Sequence, residues 1–229
     1  MDKNQILASK KLFLFDMDGT LLDTLQDLAQ SVNYALDKFG LPQRSLDEIR
    51  NFVGNGIGKL IERSVPAGSN KLIIEQVFST FKAHYAIHST DTTRCYDGIN
   101  ELLDELYSRD YKIAIASNKI NSAVQELNSR FFDKYSICAV GECENLKRKP
   151  SPDLLLHCMN QLQCAADEVL YVGDSEVDIE TSRNAGVPIV AVSWGFRDVN
   201  FLKTLHPDFL IHHPSELLDI LNFSNKSLW

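Results

Sequence analysis

Short apolar runs recur along the chain, and most of them end at a polar residue. They are Leu12–Phe15, Lys112–Ala116, Ser136–Val140, Val169–Val172, Ile189–Val192 and Phe209–Ile211. Runs this short and nearly continuous are typical of strands that helices cover on both faces of a parallel sheet. The pattern therefore predicts six buried strands.

Apolar residues at helical spacing separate these runs. The predicted helices are Gly98–Ser108, Ser151–Leu162 and Glu176–Asn184. Pro152 and Asp153 suit the first turn of a helix, and Gly186 suits a helix end. Strands that alternate with helices in this way form right-handed βαβ units. The fold class predicted is α/β, with a doubly wound parallel sheet.

The alternation breaks from about residue 24 to about residue 93, where the patterning is helical throughout. The predicted helices there are Leu25–Phe39, Ser45–Phe52, Ile57–Val65 and Leu72–Ile87. The simplest interpretation is a small all-helical domain inserted directly after the first strand. We therefore predict an α/β core domain of residues 1–22 and 92–229, and a helical domain of residues 23–91.

Composition narrows the class of protein. The net charge of -8 over 229 residues argues against a nucleic-acid groove, which must be basic to displace counterions from phosphates. Five cysteines without a CxxC pair fit reduced thiols better than a disulfide framework or a zinc site. No run is long enough to span a membrane, and Met1–Gln5 has no signal-peptide pattern. We expect a cytoplasmic protein with no nucleic-acid or membrane partner, either a monomer or a homodimer.

Polar residues that follow the apolar runs are candidates for a functional site. Ligands of an open parallel sheet bind at the carboxyl ends of its strands, so these residues are expected to meet. They are Asp16, Asp18, Ser117, Asn118, Asp174 and Asp178, with Lys149 on a loop before a helix. The sequence thus predicts several carboxylates, a hydroxyl and an ammonium group at one edge of the sheet.

This set of groups suits phosphoryl transfer. Carboxylate oxygens favour a hard cation such as Mg²⁺, which also relieves their mutual repulsion. An aspartate beside such a cation can attack phosphorus and form an aspartyl-phosphate. The backbone N–H groups around Gly19 and the side chains of Ser117 and Lys149 can stabilise charge on the phosphoryl oxygens.

Four motifs in the chain resemble those of the haloacid dehalogenase superfamily of phosphatases. Asp16–Thr20 matches the DxDGT motif, Ser117 the hydroxyl residue of the second strand, Lys149-Pro150 the third motif, and Gly173–Asp178 the GDxxxD motif. They occur in the family's order, and the resemblance covers nearly the whole chain.

The resemblance implies a role for each residue at these motifs. Asp16 is expected to be the nucleophile and a Mg²⁺ ligand. Asp18 is expected to protonate the leaving alcohol, then to activate water, and to ligate the metal through its backbone carbonyl. Ser117 and Asn118 are expected to bind the phosphoryl group.

The remaining motif residues are expected to hold charge. Lys149 neutralises the nucleophile and the phosphoryl oxygens, Asp174 ligates Mg²⁺, and Asp178 supports the water shell of the metal or ligates it. Lys147 and Arg148 are rivals of Lys149. Plainer interpretations stay open, since Asp beside Gly also caps turns and an acidic residue also suits the first turn of a helix.

The helical insert corresponds to the small cap of this family, which closes over the site. Its candidate substrate contacts are Gly54, Asn55, Gly56 and Arg63, because a helix start with free N–H groups favours an anion. A glycine-rich loop without a ligand is the alternative. Phe52–Gly56 resembles phosphoglycolate phosphatases, as does Val192–Phe196.

The predicted function is therefore a Mg²⁺-dependent phosphomonoester hydrolase that acts on a small phosphorylated metabolite, with phosphoglycolate as the expected substrate. Pyrophosphate, a nucleoside monophosphate or a sugar phosphate is the alternative substrate. A non-catalytic phosphate-binding module is the alternative of another class; it would be favoured by the loss of a motif residue, and Asp16, Asp18, Lys149 and Asp174 are all present.

Overall fold

The computed structural model of the protein describes residues 9–226. The chain forms two compact units, Met1–Leu21 with Cys95–Trp229, and Leu22–Arg94. The sequence predicts the division at residues 22/23 and 91/92, and the units divide at 21/22 and 94/95. Residues 1–8 and 227–229 of the predicted core domain lie outside the described residues.

All six predicted strands form one sheet of the first unit. The strands of the described residues are β1 (Leu12–Phe15), β2 (Leu22–Asp23), β3 (Arg94–Cys95), β4 (Lys112–Ile120), β5 (Ser136–Glu142), β6 (Val169–Gly173), β7 (Ile189–Val192) and β8 (Phe209–Ile211). The sheet has the order β5-β4-β1-β6-β7-β8, and every neighbouring pair is parallel. The predicted doubly wound parallel fold is confirmed. Strands β2 and β3 form a separate two-stranded sheet.

The helices follow the predicted pattern, with three additions. In the described part of the chain they are α1 (Leu25–Lys38), α2 (Leu46–Phe52), α3 (Gly56–Ser64), α4 (Lys71–His88), α5 (Ile99–Ser108), α6 (Asn121–Phe131), α7 (Asp153–Leu162), α8 (Glu176–Ala185), α9 (Val199–Thr204) and α10 (Ser215–Lys226). The sequence did not predict α6, α9 and α10. None of the helices described is both long and apolar enough to cross a membrane.

The core of the first unit lies between the sheet and its helices. Every residue of β1 is at most 1% exposed, and Tyr171 on the neighbouring β6 is fully buried. Helix α7 packs Leu154, Leu155 and Cys158 against these strands. A buried side chain of this size contributes about 1.5–3 kcal/mol relative to an exposed one. Because this packing fixes the strands, the residues at their carboxyl ends are held in defined positions.

A buried carboxylate joins the first helix of the helical unit to the segment that leaves the unit. Asp27 of α1 is fully buried and accepts hydrogen bonds from the backbone N–H and the hydroxyl of both Thr92 and Thr93. These bonds tie the segment that leaves the helical unit to its first helix. The start of α2 is fixed by a capping box between Ser45 and Glu48, which satisfies N–H groups that a helix start otherwise leaves unpaired.

Candidate active site

The strand order reverses at β1. The chain passes from β1 to β4 and β5 on one side, and then to β6, β7 and β8 on the other. Phe15 at the end of β1 is in register with Ile115 of β4 and Val172 of β6. Three strands therefore end at the same edge, at the switch point where ligands of such sheets bind. Asp16 follows directly after Phe15.

The loop after β1 is closely packed around Asp16. The Asp16 N–H donates to the Val172 carbonyl at 2.9 Å, and Oδ1 of Asp16 accepts from the Met17 N–H at 2.7 Å. Gly19 has a φ of +85°, and a Cβ at this position would lie 2.5 Å from Oδ2 of Asp174. Only glycine satisfies both conditions, so the DxDGT loop and Asp174 are in close contact.

Lys149 connects two of the predicted carboxylates. Its Nζ lies 2.8 Å from Oδ1 of Asp16 and 2.7 Å from Oδ1 of Asp178, and its side chain is 2% exposed. Burial lowers the pKa of Lys149, but the two carboxylates outweigh burial and the pKa is raised. Lys147 and Arg148 are exposed. The ammonium that faces Asp16 is therefore that of Lys149.

Asn118 holds the backbone of Lys149. Its Oδ1 accepts from the Lys149 N–H at 2.7 Å, and its Nδ2 donates to the Lys149 carbonyl at 3.0 Å. This pair of bonds fixes the loop that carries the ammonium group. The phosphoryl contacts expected of Asn118 and of buried Ser117 stay predictions.

Both oxygens of Asp178 are engaged by the protein. Oδ1 accepts from Lys149 Nζ at 2.7 Å and from the Tyr171 hydroxyl at 2.6 Å. Oδ2 accepts from the N–H and the hydroxyl of Ser175 at 3.1 and 2.6 Å. Burial raises the pKa of Asp178, but Lys149 and the hydroxyl donors together lower it. A direct metal contact of Asp178 stays a prediction; the bonds described position Lys149 and the start of α8.

Asp174 is held by the segment that follows β7. Its Oδ2 accepts from the Phe196 N–H at 2.7 Å, and a Cβ at Gly195 would lie 2.4 Å from the Asp174 Cβ. Burial raises the pKa of Asp174 well above its ordinary value, and the carboxylates of Asp178 and Asp16 raise it further. Trp194 donates from Nε1 to the Thr20 carbonyl at 3.0 Å. Residues 194–196, part of the Val192–Phe196 segment singled out in the sequence, thus contact Asp174 and the loop after β1.

Lys119 is a site residue that the sequence analysis missed. Its Nζ lies 3.1 and 3.0 Å from the two carboxylate oxygens of Asp18. The apolar run predicts that β4 ends before Ser117, but the strand continues to Ile120. Ser117 and Lys119 are buried on this extension, whereas Asn118 between them is half-buried.

The donor set fits a divalent cation. Oxygens of Asp16, Asp174 and Asp178 all lie within 4.8 Å of one another, and all three residues are buried. Burial is the largest cause that raises the pKa of Asp16 to about 7, against the lowering effect of Lys149. The site's four aspartates outnumber its two lysines by two charges when ionised. A hard cation of charge +2 would neutralise that excess, and carboxylate oxygens are the ligands that Mg²⁺ prefers.

Of the predicted substrate contacts of the helical unit, Gly54, Asn55 and Gly56 lie where α2 is followed by α3, and Arg63 lies in the last turn of α3. Gly54 and Gly56 have positive φ values of 116° and 80°. Helix α3 begins at Gly56, and its N-cap Asn55 makes no side-chain capping bond. Arg63 donates from Nη1 to the Phe52 carbonyl at 2.8 Å, which braces the turn. Contact of these residues with substrate stays a prediction.

The chain is similar to one hydrolase family and to relatives that share one name. A family model described as haloacid dehalogenase-like hydrolase matches residues 13–192. A phosphoglycolate phosphatase of Vibrio parahaemolyticus serotype O3:K6 is 32% identical, covering 93% of this chain and 97% of its own. A phosphoglycolate phosphatase of Aquifex aeolicus is 29% identical over the same shares of the two chains.

Two solved structures that superpose on the chain carry the same name. A proposed phosphoglycolate phosphatase from Lactobacillus delbrueckii subsp. bulgaricus superposes with a TM-score of 0.88 at 32% identity, covering 93% of this chain and 98% of its own. A predicted phosphoglycolate phosphatase from Haemophilus somnus 129PT superposes with a TM-score of 0.86 at 28% identity, with the same coverage.

Proposed function

Because the chain belongs to the haloacid dehalogenase-like hydrolase family, we propose that it is a Mg²⁺-dependent phosphomonoesterase with Asp16 as its nucleophile. The observation that carries the proposal is the position of Asp16. It directly follows β1 at the switch point, and within residues 9–226 both donors to its side chain, the Met17 N–H and Lys149 Nζ, contact Oδ1. Oδ2 is thereby left to attack phosphorus.

The first step is transfer of the phosphoryl group to Asp16. Oδ2 of Asp16 attacks phosphorus, and the bond from phosphorus to the leaving oxygen breaks with its electron pair on that oxygen. Protonated Asp18 gives its proton to the same oxygen, so the products are a neutral alcohol and an aspartyl-phosphate. The ammonium of Lys149, 2.8 Å from Asp16, stabilises negative charge on the phosphoryl oxygens.

The second step releases phosphate. The Asp18 carboxylate removes a proton from a water molecule as that water attacks phosphorus, and the bond between phosphorus and Asp16 breaks. Asp18 is then protonated again and ready for the next cycle. Mg²⁺, held by Asp16, Asp174 and the Asp18 carbonyl, would supply charge stabilisation when bound. Asp178 would act through Lys149.

Phosphoglycolate is the substrate that we propose. Relatives named phosphoglycolate phosphatase cover nearly the whole chain at about 30% identity, and the α3 start at Gly56 presents backbone N–H groups that suit a carboxylate. Identity at this level supports the family more firmly than the substrate. Pyrophosphate, nucleoside monophosphates and sugar phosphates remain the competing substrates.

Phosphate release from p-nitrophenyl phosphate and from a panel of metabolites tests the proposal. We expect turnover with Mg²⁺, none with EDTA, and the highest kcat/KM on phosphoglycolate. Asp16→Asn should lower kcat by at least about 10³-fold, whereas the matched change Asp133→Asn on an exposed loop should leave it unchanged. A higher kcat/KM on another member of the panel would contradict phosphoglycolate as the substrate. Full activity of Asp16→Asn would contradict Asp16 as the nucleophile.

We also place this activity in the cytoplasm. Cys95, Cys138, Cys143, Cys158 and Cys164 are all free thiols, which suits a reducing compartment. Fractionation of the native host cells would test this assignment, and recovery of the protein outside the cytoplasm would contradict it.

A further inference from the structure

Each of the two aspartates of the DxDGT loop has an ammonium group of its own. Lys149 contacts Asp16 through one oxygen, whereas Lys119 contacts both oxygens of Asp18, at 3.1 and 3.0 Å. The side chain of Lys119 is 4% exposed and that of Asp18 is 18% exposed. A buried ammonium is costly unless it is paired, so Asp18 is what makes this position tolerable for a lysine.

The backbone of Lys119 is held firmly. Lys119 lies on β4, and its N–H donates to Ser117 Oγ at 3.2 Å. A Cβ at Gly141 of β5 would lie 2.4 Å from the Lys119 carbonyl oxygen, so the neighbouring strand packs directly against this residue. The Gly141 N–H is in turn bound by Asn121 Oδ1 at 2.9 Å. Lys119 therefore reaches Asp18 from strand β4, within the stretch between Ala116 and Ile120 where its pairing with β5 shifts register.

Contact with both oxygens restricts the carboxylate of Asp18 more than a single bond would. A carboxylate held at one oxygen can still turn about its last side-chain torsion, which is broad for aspartate. An ammonium between the two oxygens opposes that rotation. A general acid must lie within hydrogen-bond reach of the leaving oxygen, so a fixed orientation of Asp18 bears directly on its task.

We propose that Lys119 is a positioning residue that orients the Asp18 carboxyl group for proton transfer to the leaving oxygen. This inference rests on the proposed function, in which Asp18 gives its proton to that oxygen as the bond to phosphorus breaks. Lys119 itself neither touches the phosphoryl group nor exchanges a proton in the reaction. In the transfer step its effect is therefore confined to substrates whose leaving group needs the proton.

The leaving group of the substrate provides the test. An alkyl phosphate expels an alkoxide, which needs protonation, whereas p-nitrophenyl phosphate expels a stable phenolate, which does not. The measurement is kcat/KM, which reports on steps up to the first irreversible one, the transfer to Asp16. The ratio of the two kcat/KM values within one variant does not depend on how much of that variant is folded.

The alkyl phosphate used is the one that wild type hydrolyses best. Lys119→Met should lower kcat/KM for this substrate by about 10- to 100-fold. It should lower kcat/KM for p-nitrophenyl phosphate by less than about 3-fold. Lys119→Arg, which keeps the positive charge, should restore most of the ratio. Lys112→Met is the matched control, because Lys112 begins the same strand and binds the Leu162 carbonyl at 2.7 Å, away from the site. It should leave the ratio unchanged.

Two results would overturn the inference. Equal losses on both substrates in Lys119→Met would show a structural role only, and no loss on either substrate would show that Asp18 needs no positioning. If wild type hydrolysed neither substrate while folded, the proposed function itself would fail. That outcome is distinct because it appears before any variant is made.

Discussion

The hydroxyl of Tyr171 donates a 2.6 Å hydrogen bond to Oδ1 of Asp178, and both residues are fully buried. The same hydroxyl accepts from Lys149 Nζ at 3.0 Å. Tyr171 lies in the middle of β6 among apolar neighbours, where a phenylalanine would pack equally well. The hydroxyl therefore serves the charged groups above it rather than the core.

Tyr171→Phe should destabilise the protein without changing its fold. Asp178 loses one of four donors, and a hydrogen bond to a charged group is worth about 1.5–3 kcal/mol. Urea unfolding should show a loss of that size, and kcat should fall because Lys149 is held less firmly. Tyr107→Phe, at a side chain that is 49% exposed, should change stability by less than about 0.5 kcal/mol. Equal stability of Tyr171→Phe and wild type would refute the network.

Mg²⁺ should stabilise the protein more as the pH rises. The pKa of Asp16 is raised to about 7 and that of Asp174 is raised as well, burial being the largest cause for both. Between about pH 4 and pH 7 the metal-free folded state therefore binds more protons than the unfolded state, and its unfolding free energy falls with rising pH. Mg²⁺ binds the ionised carboxylates and offsets this loss.

The measurement is the difference in Tm between Mg²⁺ and EDTA at about pH 5 and at about pH 8, where the metal at about 100 times its Kd is worth about 2.7 kcal/mol. The lowered pKa values of Asp178 and Asp27 act in the opposite direction, and taking the difference cancels them. We expect the larger difference at the higher pH. A difference that is equal or larger at the lower pH would contradict the assignment of the metal to these carboxylates.

Gly195→Ala should weaken both the fold and metal binding. The added Cβ would lie 2.4 Å from the Asp174 Cβ and 2.4 Å from the Gly19 carbonyl oxygen, so backbone must move. Overpacking of this kind costs about 1–3 kcal/mol. Gly58→Ala gives the opposite sign, since Gly58 lies inside helix α3 with nothing within 4 Å, and it should gain about 0.5–1 kcal/mol. Unfolding curves and Mg²⁺ titrations of the two variants would check this, and wild-type Mg²⁺ affinity in Gly195→Ala would count against it.

Asp27→Ala should open the helical unit. The change removes the acceptor of both threonine hydroxyls and N–H groups at residues 92 and 93, and it should cost at least about 3 kcal/mol. Asp37→Ala, on the exposed face of the same helix, should cost less than about 0.5 kcal/mol. Hydrogen exchange at Thr92 and Thr93 would report the local opening. Unchanged protection there would contradict the role of Asp27.

Hydrophobic pattern was sufficient for the sheet but not for every element. The run Leu12–Phe15 predicts β1 to the residue, because a strand buried on both faces has to be apolar throughout. Helix α6 was missed because its buried residues are limited to Val124 and Leu127, which leaves little amphipathic signal. The hydrophobic pattern predicts an element through its buried face, and α6 buries few residues.

The candidate site also contains residues that the sequence predicts and residues that it does not. Asp16 and Asp174 directly follow strands, so their convergence could be predicted from the pattern. Lys149 lies on the loop before α7, and its place in the site was expected from the resemblance to the family's third motif. Lys119 could not be predicted, because a lysine just past an apolar run usually faces solvent and its burial depends on the extension of β4 to Ile120. The hydroxyl bond of Tyr171 was hidden for a related reason, since tyrosine inside an apolar run indicates only core packing.

Trapping of the covalent intermediate tests the central claim most directly. Asp18→Asn incubated with Mg²⁺ and p-nitrophenyl phosphate should accumulate an aspartyl-phosphate, because this substrate needs no acid whereas hydrolysis of the intermediate needs a base. Quenching and reduction with borohydride would convert an acyl phosphate into homoserine, which peptide mass spectrometry locates. We predict homoserine at residue 16 and none in a control without substrate. Turnover with Asp16 unmodified, or homoserine at another aspartate, would contradict the account.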